Sequence, residues 1–330
     1  MIEHKYRLPF PDVPGMPEEI IHAIDDGNLL LFVGAGVSKL IGYPLWGELG
    51  RNLANKALKE RILTNSEKEV LLEGGFTPME IVSIVTKRFD ENKANSGTEE
   101  IIKELSTNVK EDAKVALKIC KYLSAYNSVI VTTNADISLE KRKTLKSRVL
   151  CKNFEKDFDL KKYGKYSIIH LHGSIEEPDG MVFTSEDYAR AYSVETDFGK
   201  KLKDLFNGDW TILFLGYGVT EFELLRYFLT FKKDKVRRLF LLEGYLAKDR
   251  IKYEFDKEYY ESLGISLLPY SRELSDYKML LKVLQKWDKD VKTRTFSAST
   301  VKEDAIANIT SQEPYQDGIE AIERMLKKNG

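Results

Sequence analysis

The chain has 330 residues, of which 42% are hydrophobic and 31% are charged, and its formal net charge is −1. This length and composition suit one large α/β domain with an extra module, or two domains. A nearly neutral chain gives no indication of non-specific attraction to nucleic acid, so no direct nucleic-acid contact is expected. No apolar run is long enough to span a membrane and the N-terminus lacks the apolar region of a signal peptide. A cytoplasmic protein without membrane association is therefore expected.

The two cysteines, Cys120 and Cys151, lie far apart in the sequence. They form no C-x-x-C pair, so one chain cannot build a four-cysteine zinc site from them. We therefore expect two reduced, partly buried thiols and no structural zinc.

The first predicted elements are a helix, a strand and a long helical block. A short helix is predicted at 17–24, because proline and acidic residues suit a first helical turn. The apolar run at 29–33 ends in Gly34-Ala35-Gly36, which predicts a strand buried on both faces of a parallel sheet. Apolar residues at helical spacing then fill most of the stretch 46–126.

Short apolar strands and helices alternate through the second half of the chain. Further strands are predicted at 128–132, 166–171, 211–215, 239–242 and 265–268, and helices at 186–206, 221–231, 250–263 and 275–291. This alternation predicts an α/β fold: a Rossmann-like, mostly parallel sheet with helices on both faces. The polar, weakly patterned stretch 292–314 predicts a linker or extended arm, and a short terminal helix is predicted at 318–328.

These elements divide the chain into three predicted parts. Residues 1–45 and 127–291 are expected to form the Rossmann-like nucleotide-binding domain. Residues 46–126 are expected to form an inserted helical module, because so long a helical block exceeds what one crossover between parallel strands needs. Residues 292–330 are expected to form a linker and a C-terminal helical extension.

Four loops that follow predicted strands carry unusual residues. The loops are Gly34-Ala35-Gly36-Val37-Ser38, Thr132-Thr133-Asn134-Ala135-Asp136, His170-Leu171-His172-Gly173-Ser174 and Gly216-Tyr217-Gly218. In open α/β sheets the ligand crevice lies at the carboxyl ends of the strands. Each motif alone also suits an ordinary turn, a helix N-cap or a buried histidine. Their shared placement and order favour one common site.

The glycine motif after the first strand favours a nucleotide. Glycines let the backbone approach a ligand closely, and free backbone N–H groups suit phosphates. The dinucleotide fingerprint G-x-G-x-x-G is incomplete, because Lys39 occupies the third glycine position. Pro44 restricts Tyr43 to extended geometry, so a second loop is expected to follow the first and to fold over its ligand. These departures argue against a hydride-transfer dehydrogenase.

The order of the motifs resembles that of the sirtuin superfamily, and more narrowly that of the bacterial sirtuin-like domains of antiphage defence proteins, which cleave NAD+. The resemblance extends to about residue 270 and is carried by the glycine motif, Gly42-Tyr43-Pro44 with Trp46, Thr133-Asn134-Ala135-Asp136, His172-Gly173 and Gly216-Tyr217-Gly218. It implies NAD+ as the substrate and an NAD+ glycohydrolase that releases nicotinamide and ADP-ribose.

A protein deacylase is disfavoured. Sirtuin deacylases usually carry a four-cysteine zinc module, which the two cysteines of this chain cannot build. They also usually have Phe-Arg after the proline of the second loop, whereas this chain has Leu45-Trp46 after Pro44. A second alternative is an NAD or ADP-ribose sensor or assembly module without turnover, and the presence of both Asn134 and His172 disfavours it.

By resemblance, Asn134, His172 and Asp136 are the candidate catalytic residues. Positive charge builds on the ribose as the bond to nicotinamide breaks, so useful groups orient hydroxyls, water and the leaving group. Asn134 suits the positioning of water or a ribose hydroxyl, and His172 suits general base catalysis. Asp136 is expected to contact the carboxamide or to stabilise the positive charge. His170 is expected to support the site, and because a His–His metal site would lack a third ligand, metal-independent activity is expected.

The remaining candidates are expected to hold the rest of NAD+. Gly34, Ala35, Gly36, Val37 and Ser38 would cradle the pyrophosphate, and Gly216, Tyr217 and Gly218 would close on the phosphate and adenosine side. Pro44, Trp46 and Thr133 are further candidate binding residues. Glu243 has two equally favoured interpretations, an acceptor for ribose hydroxyls or a solvated acid at a strand end.

The resemblance also implies control, because free NAD+ hydrolysis is toxic to the cell. Control in such proteins is usually oligomerisation or a partner. The chain has no Walker motif of an ATPase, so the trigger is expected to be a separate protein. A homo-oligomer is expected, and a HerA-type ATPase is a plausible partner by resemblance.

Overall fold

The structure is a computed structural model that describes residues 10–92, 96–107, 109–126, 128–140, 149–159, 162–163, 167–193, 196–206, 208–218, 227 and 238–310. Within these residues the strands are β1 (Leu29–Val33), β2 (Ser128–Thr132), β3 (Val149–Cys151), β4 (Ser167–His170), β5 (Thr211–Leu215), β6 (Arg238–Tyr245) and β7 (Ile265–Ser271). They form one sheet in the order β3-β4-β2-β1-β5-β6-β7, and every neighbouring pair is parallel. The predicted parallel α/β sheet is therefore confirmed.

The sequence did not predict β3. This strand has three residues and directly follows the polar stretch 141–148. A run of that length is too short to show the alternation or the apolar continuity that marks a strand.

The described helices are α1 (Glu18–Asp26), α2 (Ala35–Ile41), α3 (Trp46–Lys59), α4 (Asn65–Glu73), α5 (Pro78–Asn92), α6 (Gly97–Ser106), α7 (Ala113–Ser124), α8 (Phe154–Asp157), α9 (Ser185–Ala191), α10 (Asp197–Phe206), α11 (Arg250–Ser262) and α12 (Met279–Thr310). The helices α3 to α7 confirm the predicted helical block. The helix predicted at 186–206 is instead two helices, because Thr196 accepts a hydrogen bond from the Gly199 N–H and so caps a new start. The helix predicted at 221–231 lies outside the described residues except for residue 227.

Both faces of the sheet are covered by helices, as predicted. All five residues of β1 are buried, since this strand lies in the middle of the sheet. Leu31 and Val33 pack on one face with apolar residues of α1, α2, α7 and α12, among them the fully buried Trp287. Leu30 and Phe32 point to the other face and pack with residues of α8, α9 and α10.

The helices α3 to α6 share a third apolar cluster with members such as Leu53, Val85 and Phe89. This cluster also includes Ala135 of the loop after β2 and Phe183, so it borders the carboxyl edge of the sheet. The buried residues of α7 instead pack with the sheet. The division of the chain at 46–126 stays a prediction.

The stretch 292–310 is helical, so the linker or extended arm predicted from about residue 292 is wrong for these residues. The prediction relied on weak apolar patterning, yet the sequence has no glycine or proline between Pro269 and Pro314 to end a helix. Residues 311–314 and the terminal helix predicted at 318–328 lie outside the described residues. Among the described helices, α12 included, none is both long and apolar enough to cross a membrane.

Candidate functional site

The switch point of the sheet lies between β1 and β5. The chain proceeds from β1 to β2 on one side and later returns to β5 on the other side. Such a reversal opens a crevice at the carboxyl ends of the two strands. The glycine motif at 34–38 and the motif at 216–218 follow these strands, so they meet at the crevice.

The two glycine motifs are in direct backbone contact. The Gly34 N–H donates to the Leu215 carbonyl at 2.9 Å, and the Gly36 N–H donates to the Gly216 carbonyl at 2.8 Å. A Cβ atom at Gly36 would lie 2.9 Å from the Gly216 Cα. Gly216 itself has a φ of 59°, a left-handed conformation that favours glycine. Glycine is therefore needed on both sides of this contact.

The glycine motif is the start of a helix rather than the loop that we predicted. Gly34 is the N-cap of α2, and Gly42, with a φ of 115°, ends that helix. Val37 and Ile41 are fully buried one turn apart, and this burial stabilises the short helix against the sheet. The predicted second loop does follow, after the helix. Because the Gly36 N–H already donates within the chain, less of the motif is free for phosphate than the sequence suggested.

Asn134, Ser38 and Asp136 form one hydrogen-bonded cluster. The Asn134 amide nitrogen donates to the Gly34 carbonyl at 3.0 Å and to the Ser38 hydroxyl at 2.8 Å. The Ser38 hydroxyl in turn donates to Asp136 at 2.6 Å. The loop after β2 and the helix after β1 are thereby joined through side chains. The hydroxyl of Ser38 thus connects the two polar residues, and its predicted contact with phosphate stays a prediction.

The bonds around Asn134 and Asp136 fix how each can act. Both N–H groups of the Asn134 amide are engaged, so its Oδ1 is the atom left to accept a hydrogen bond from water or from a ribose hydroxyl. Asp136 is buried, and its other oxygen accepts from the backbone N–H and the hydroxyl of Ser138. The Ser38 and Ser138 groups therefore hold both carboxyl oxygens of Asp136 in place.

Two neighbouring cavities open at the switch point. The first, the Asn134 cavity, has a volume of about 40 Å³ and is lined by Ala35, Ser38, Tyr43, Pro44, Trp46, Leu49, Leu105, Thr133, Asn134, Ala135, Asp136 and Phe183. The second, the Glu243 cavity, has a volume of about 330 Å³ and is lined by Ala35, Gly36, Leu45, Trp46, Gly47, Thr133, Gly216, Tyr217, Gly218, Leu242, Glu243, Gly244, Tyr270, Arg272, Tyr277 and Leu280. Both share Ala35, Trp46 and Thr133, so one elongated ligand can extend from one into the other. The larger volume lies in the range of small-molecule sites.

Glu243 lies in the wall of the larger cavity. Burial raises the pKa of its carboxyl to about 7, although Lys252 and Arg272 act in the opposite direction. Arg272 stacks on the Tyr277 ring at 4.0 Å and pairs with Asp276. The position favours the interpretation in which Glu243 faces a ligand.

The sequence analysis did not identify the aromatic and cationic residues that line the same cavity, Tyr270, Arg272 and Tyr277. No motif marks these residues, because they lie at and beyond the end of β7, on the far side of the crevice.

His172 lies apart from both cavities. Its ring is buried, with Nε2 at 2.6 Å from the Tyr192 hydroxyl and Nδ1 at 3.4 Å from the Tyr188 hydroxyl. The Tyr188 ring lies 5.0 Å from the His172 ring and 6.5 Å from the ring of Trp46, which lines both cavities. Burial lowers the pKa of His172 to about 3, so the ring is neutral at neutral pH.

His170 lies behind Asn134. Its ring nitrogens are 2.8 Å from the Asn134 carbonyl oxygen and 3.1 Å from the Glu140 carboxylate. The sequence predicted a supporting residue here but did not identify Glu140, which belongs to no motif. Burial disfavours the charged ring, yet Glu140 and the bond to Asn134 together raise the pKa of His170 above its usual value.

The structure therefore brings most of the predicted residues together. Those that line a cavity are Ala35, Gly36, Ser38, Pro44, Trp46, Thr133, Asn134, Asp136, Gly216, Tyr217, Gly218 and Glu243. Gly34, Val37 and His172 line neither cavity: Gly34 supports the backbone contact with β5, and the Val37 side chain packs in the apolar core. The roles of all these residues in catalysis and binding stay predictions.

The described residues include no group of three or more His, Cys, Asp or Glu side chains that could hold a metal ion. Cys120 and Cys151 are both buried and free, and burial raises the pKa of each thiol to about 12. Both thiols are therefore protonated at neutral pH and poor metal ligands.

Fold and site together define an open, parallel α/β protein with a crevice of nucleotide size at its switch point. Residues 128–266 match the family of SIR2-like domains. This part of the chain is thus similar to SIR2-like domains, which confirms the sirtuin-like resemblance. The matched range contains the Asn134, His172 and Gly216 motifs.

The chain is also similar to curated proteins named NAD(+) hydrolase ThsA. The chain is 26% identical to the NAD(+) hydrolase ThsA of Bacillus cereus (strain MSX-D12) over 284 residues, which cover 81% of this chain and 55% of that protein. It is 27% identical to the ThsA protein of Enterococcus faecium, over 62% of this chain and 40% of that protein. It is also 27% identical to the ThsA protein of Acinetobacter baumannii (strain 532279), over 67% of this chain and 41% of that protein. The chain thus spans about half the length of the curated relatives it matches, or less.

Proposed function

We propose that this protein is an NAD+ glycohydrolase that cleaves NAD+ into nicotinamide and ADP-ribose and depletes NAD+ in antiphage defence. The observation that carries the proposal is the pair of cavities that meet at the switch point, one ending in Asn134 and Asp136 and the other in Glu243. The relatives named NAD(+) hydrolase support the same activity.

In this proposal NAD+ lies across the crevice. Its adenosine half occupies the larger cavity, where Glu243 accepts hydrogen bonds from ribose hydroxyls. Its pyrophosphate passes over Ala35 and Gly216, and its nicotinamide ribose lies beside Asn134. The small Asn134 cavity has apolar walls from Trp46 and Phe183, which suit a flat nicotinamide ring.

The chemistry needs orientation and charge stabilisation rather than a strong nucleophile. Asn134 Oδ1 would accept a hydrogen bond from the attacking water or from a ribose hydroxyl and hold it in line. The buried Asp136 carboxylate, one hydroxyl away, would stabilise the positive charge that develops on the ribose. His172 would act as the general base, and because its ring is neutral, its basic form is present throughout the neutral pH range.

His172 also favours the second candidate function, an NAD or ADP-ribose sensor without turnover. Tyr188 and Tyr192 bond both ring nitrogens of His172, and the ring lines neither cavity. For hydrolysis, NAD+ binding or assembly would have to open the path past Tyr188. We propose that a homo-oligomer or a partner such as a HerA-type ATPase provides this control.

Product analysis separates these functions. Purified protein is incubated with NAD+, with and without the candidate partner, and the products are resolved by chromatography. We expect nicotinamide and ADP-ribose in equal amounts, at a rate unchanged by EDTA because no metal is proposed to take part. Binding of NAD+ without release of nicotinamide in any condition would favour the sensor, and inhibition by EDTA would contradict a metal-independent hydrolase.

A further inference from the structure

A buried ion pair lies directly behind the loop that carries Asn134. His170 is the last residue of β4 and is 1% exposed, and Glu140 is 8% exposed. Neither side chain lines the Asn134 cavity or the Glu243 cavity, so neither is placed to touch NAD+ there. Two charged groups that are buried together are costly to desolvate, and they are maintained only where their mutual bonds are good.

Both ring nitrogens of His170 lie within hydrogen-bond distance of an oxygen atom. The Asn134 carbonyl at Nδ1 and the Glu140 carboxylate at Nε2 can only accept hydrogen bonds. A neutral imidazole has a single N–H and can satisfy only one of them. With Glu140 as a carboxylate, the geometry therefore favours the doubly protonated, charged ring, in agreement with the raised pKa of His170.

Backbone bonds hold other parts of the Asn134 loop. The Leu171 N–H donates to the Thr132 carbonyl at 2.8 Å, and the Ile175 N–H donates to the Ala135 carbonyl at 3.0 Å. The Asn134 carbonyl lies between these two carbonyls in the chain, and it is bonded to the side chain of His170. The orientation of the Asn134 peptide thus depends on a group that can lose a proton.

We propose that His170 and Glu140 are positioning residues, which fix Asn134 through its backbone carbonyl as long as His170 carries both protons. This inference rests on the proposed NAD+ hydrolysis. In this inference His170 and Glu140 affect the catalytic rate and its pH dependence, and they do not contact the substrate.

The surroundings of the pair determine the sign of the pH effect. Asp136 adds a negative charge near His170, and with Glu140 it raises the pKa of that ring. Glu140 also faces Cys120 of α7, whose thiol is protonated because its pKa is raised to about 12, and Lys152, whose pKa is raised. The charged ring is therefore the low-pH form, and it is lost as the pH rises through its raised pKa.

Loss of that proton has a specific structural consequence. The remaining N–H is drawn to the Glu140 carboxylate, the stronger acceptor, and a lone pair then faces the Asn134 carbonyl. The loop loses its bond, so kcat should fall on the alkaline side. In Glu140→Gln the amide can donate to Nε2, the single ring proton stays on Nδ1, and the bond to Asn134 is retained at every pH. The alkaline fall in kcat should then disappear.

Two double variants test the bond itself without leaving a carboxylate unpaired. In His170→Asn/Glu140→Gln the asparagine amide can replace Nδ1 as the donor to Asn134. In His170→Phe/Glu140→Gln no donor remains. We expect kcat to fall roughly tenfold to a hundredfold in the phenylalanine variant, the scale of a displaced catalytic group, with KM for NAD+ nearly unchanged. The asparagine variant should recover most of that loss.

The matched control is Glu100→Gln. Glu100 of α6 is fully buried and pairs with Lys56 and Lys103, away from the cavities. The substitution Glu100→Gln should lower the melting temperature and leave the pH profile of kcat unchanged.

The experiment records kcat and KM of the full chain from pH 6 to 10, and histidine NMR spectra over the same range. The chain has four histidines, so the His170 resonance can be assigned by its loss in the asparagine variant. We expect the NMR pKa of His170 to coincide with the alkaline fall of the unmodified protein. An unchanged fall in Glu140→Gln, or unchanged kcat in the phenylalanine variant, would overturn the inference.

The outcome is separable from that of the proposed function. If the unmodified protein releases no nicotinamide in any condition, the hydrolase proposal fails. The NMR titration still tests the pair in that case, because the two-donor geometry requires a His170 pKa above its usual value, and a ring that is neutral at pH 7 would contradict it. If the protein hydrolyses NAD+ and the variants behave like the unmodified chain, the positioning role alone fails.

Discussion

Asn134 is the side chain whose hydrogen bonds define its function most narrowly. Both of its amide N–H groups are bound within the chain, so Oδ1 is the acceptor that faces the cavity. We expect Asn134→Ala to lower kcat for NAD+ by roughly a hundredfold or more, the scale of a lost positioning group. Asn55→Ala is the control, since Asn55 is exposed on α3 and bonds only Lys68 among the described residues. Rate measurements on both variants would decide, and near-normal turnover in Asn134→Ala would place the chemistry elsewhere.

His172 has a prediction of its own at the residue scale, because its basic form should persist into acid. An exposed histidine would lose its basic form below about pH 6.5, the unperturbed pKa. Burial lowers the pKa of His172 to about 3, so kcat should not decline from this group between pH 7 and pH 5. His172→Ala should lower kcat by roughly a hundredfold across this whole range. A decline near pH 6.5 that is absent in His172→Ala would show that the ring is more hydrated than its tyrosine surroundings indicate.

At the scale of elements, the contact between the start of α2 and the end of β5 holds the crevice in shape. A Cβ atom at Gly36 would collide with the Gly216 backbone, so even alanine must push the two loops apart. We expect Gly36→Ala to lower the free energy of unfolding by about 1–3 kcal/mol and to weaken NAD+ binding at the same time.

Gly15→Ala provides the control for that prediction. Its added Cβ would meet no atom within 4 Å, so it should change neither property. Denaturant melts and calorimetric NAD+ titrations give the two quantities. A stable Gly36→Ala protein with unchanged NAD+ affinity would contradict the placement of the pyrophosphate at this contact.

At the scale of the whole molecule, α12 continues well past its last described buried residue. Val291 is its last buried residue among those whose side chains are described, and the helix continues to Thr310. These 19 further residues, 292–310, add roughly 28 Å at 1.5 Å per residue. We propose that this part contributes to assembly, because it follows the last residue of α12 that is seen to pack in the core on the sheet.

Truncation after Val291 tests this proposal. The core around Trp287 remains, so the melting temperature should change little. We expect the truncated protein to form assemblies of fewer chains in light scattering and to hydrolyse NAD+ more slowly than the full-length protein. A full-length monomer that is already fully active, and is unchanged by the truncation, would rule the proposal out.

The sequence predicted those features that depend on local pattern. Short, mostly apolar runs predicted β1, β2 and β5 at their observed limits, since strands buried on both faces are rich in apolar residues. Motif order predicted that Asn134, Ser38, Gly36 and Gly216 would meet, because the carboxyl ends of parallel strands lie at one edge. Local pattern did not predict β3, the break between α9 and α10, or the continuation of α12. A three-residue strand and a single helix cap leave little periodicity, and the stretch 292–310 has only weak apolar patterning.

Tertiary structure alone determined which partner each polar group has. The sequence placed His170 and His172 two residues apart and could not separate their states. The fold surrounds His172 with tyrosines and lowers its pKa, while it places His170 between a carbonyl and Glu140, 30 positions away in sequence, and raises its pKa. Burial and hydrogen-bond partners from distant segments set protonation, and the local sequence does not encode them. For the same reason only the structure could show that the hydroxyl of Ser38 bonds both Asn134 and Asp136.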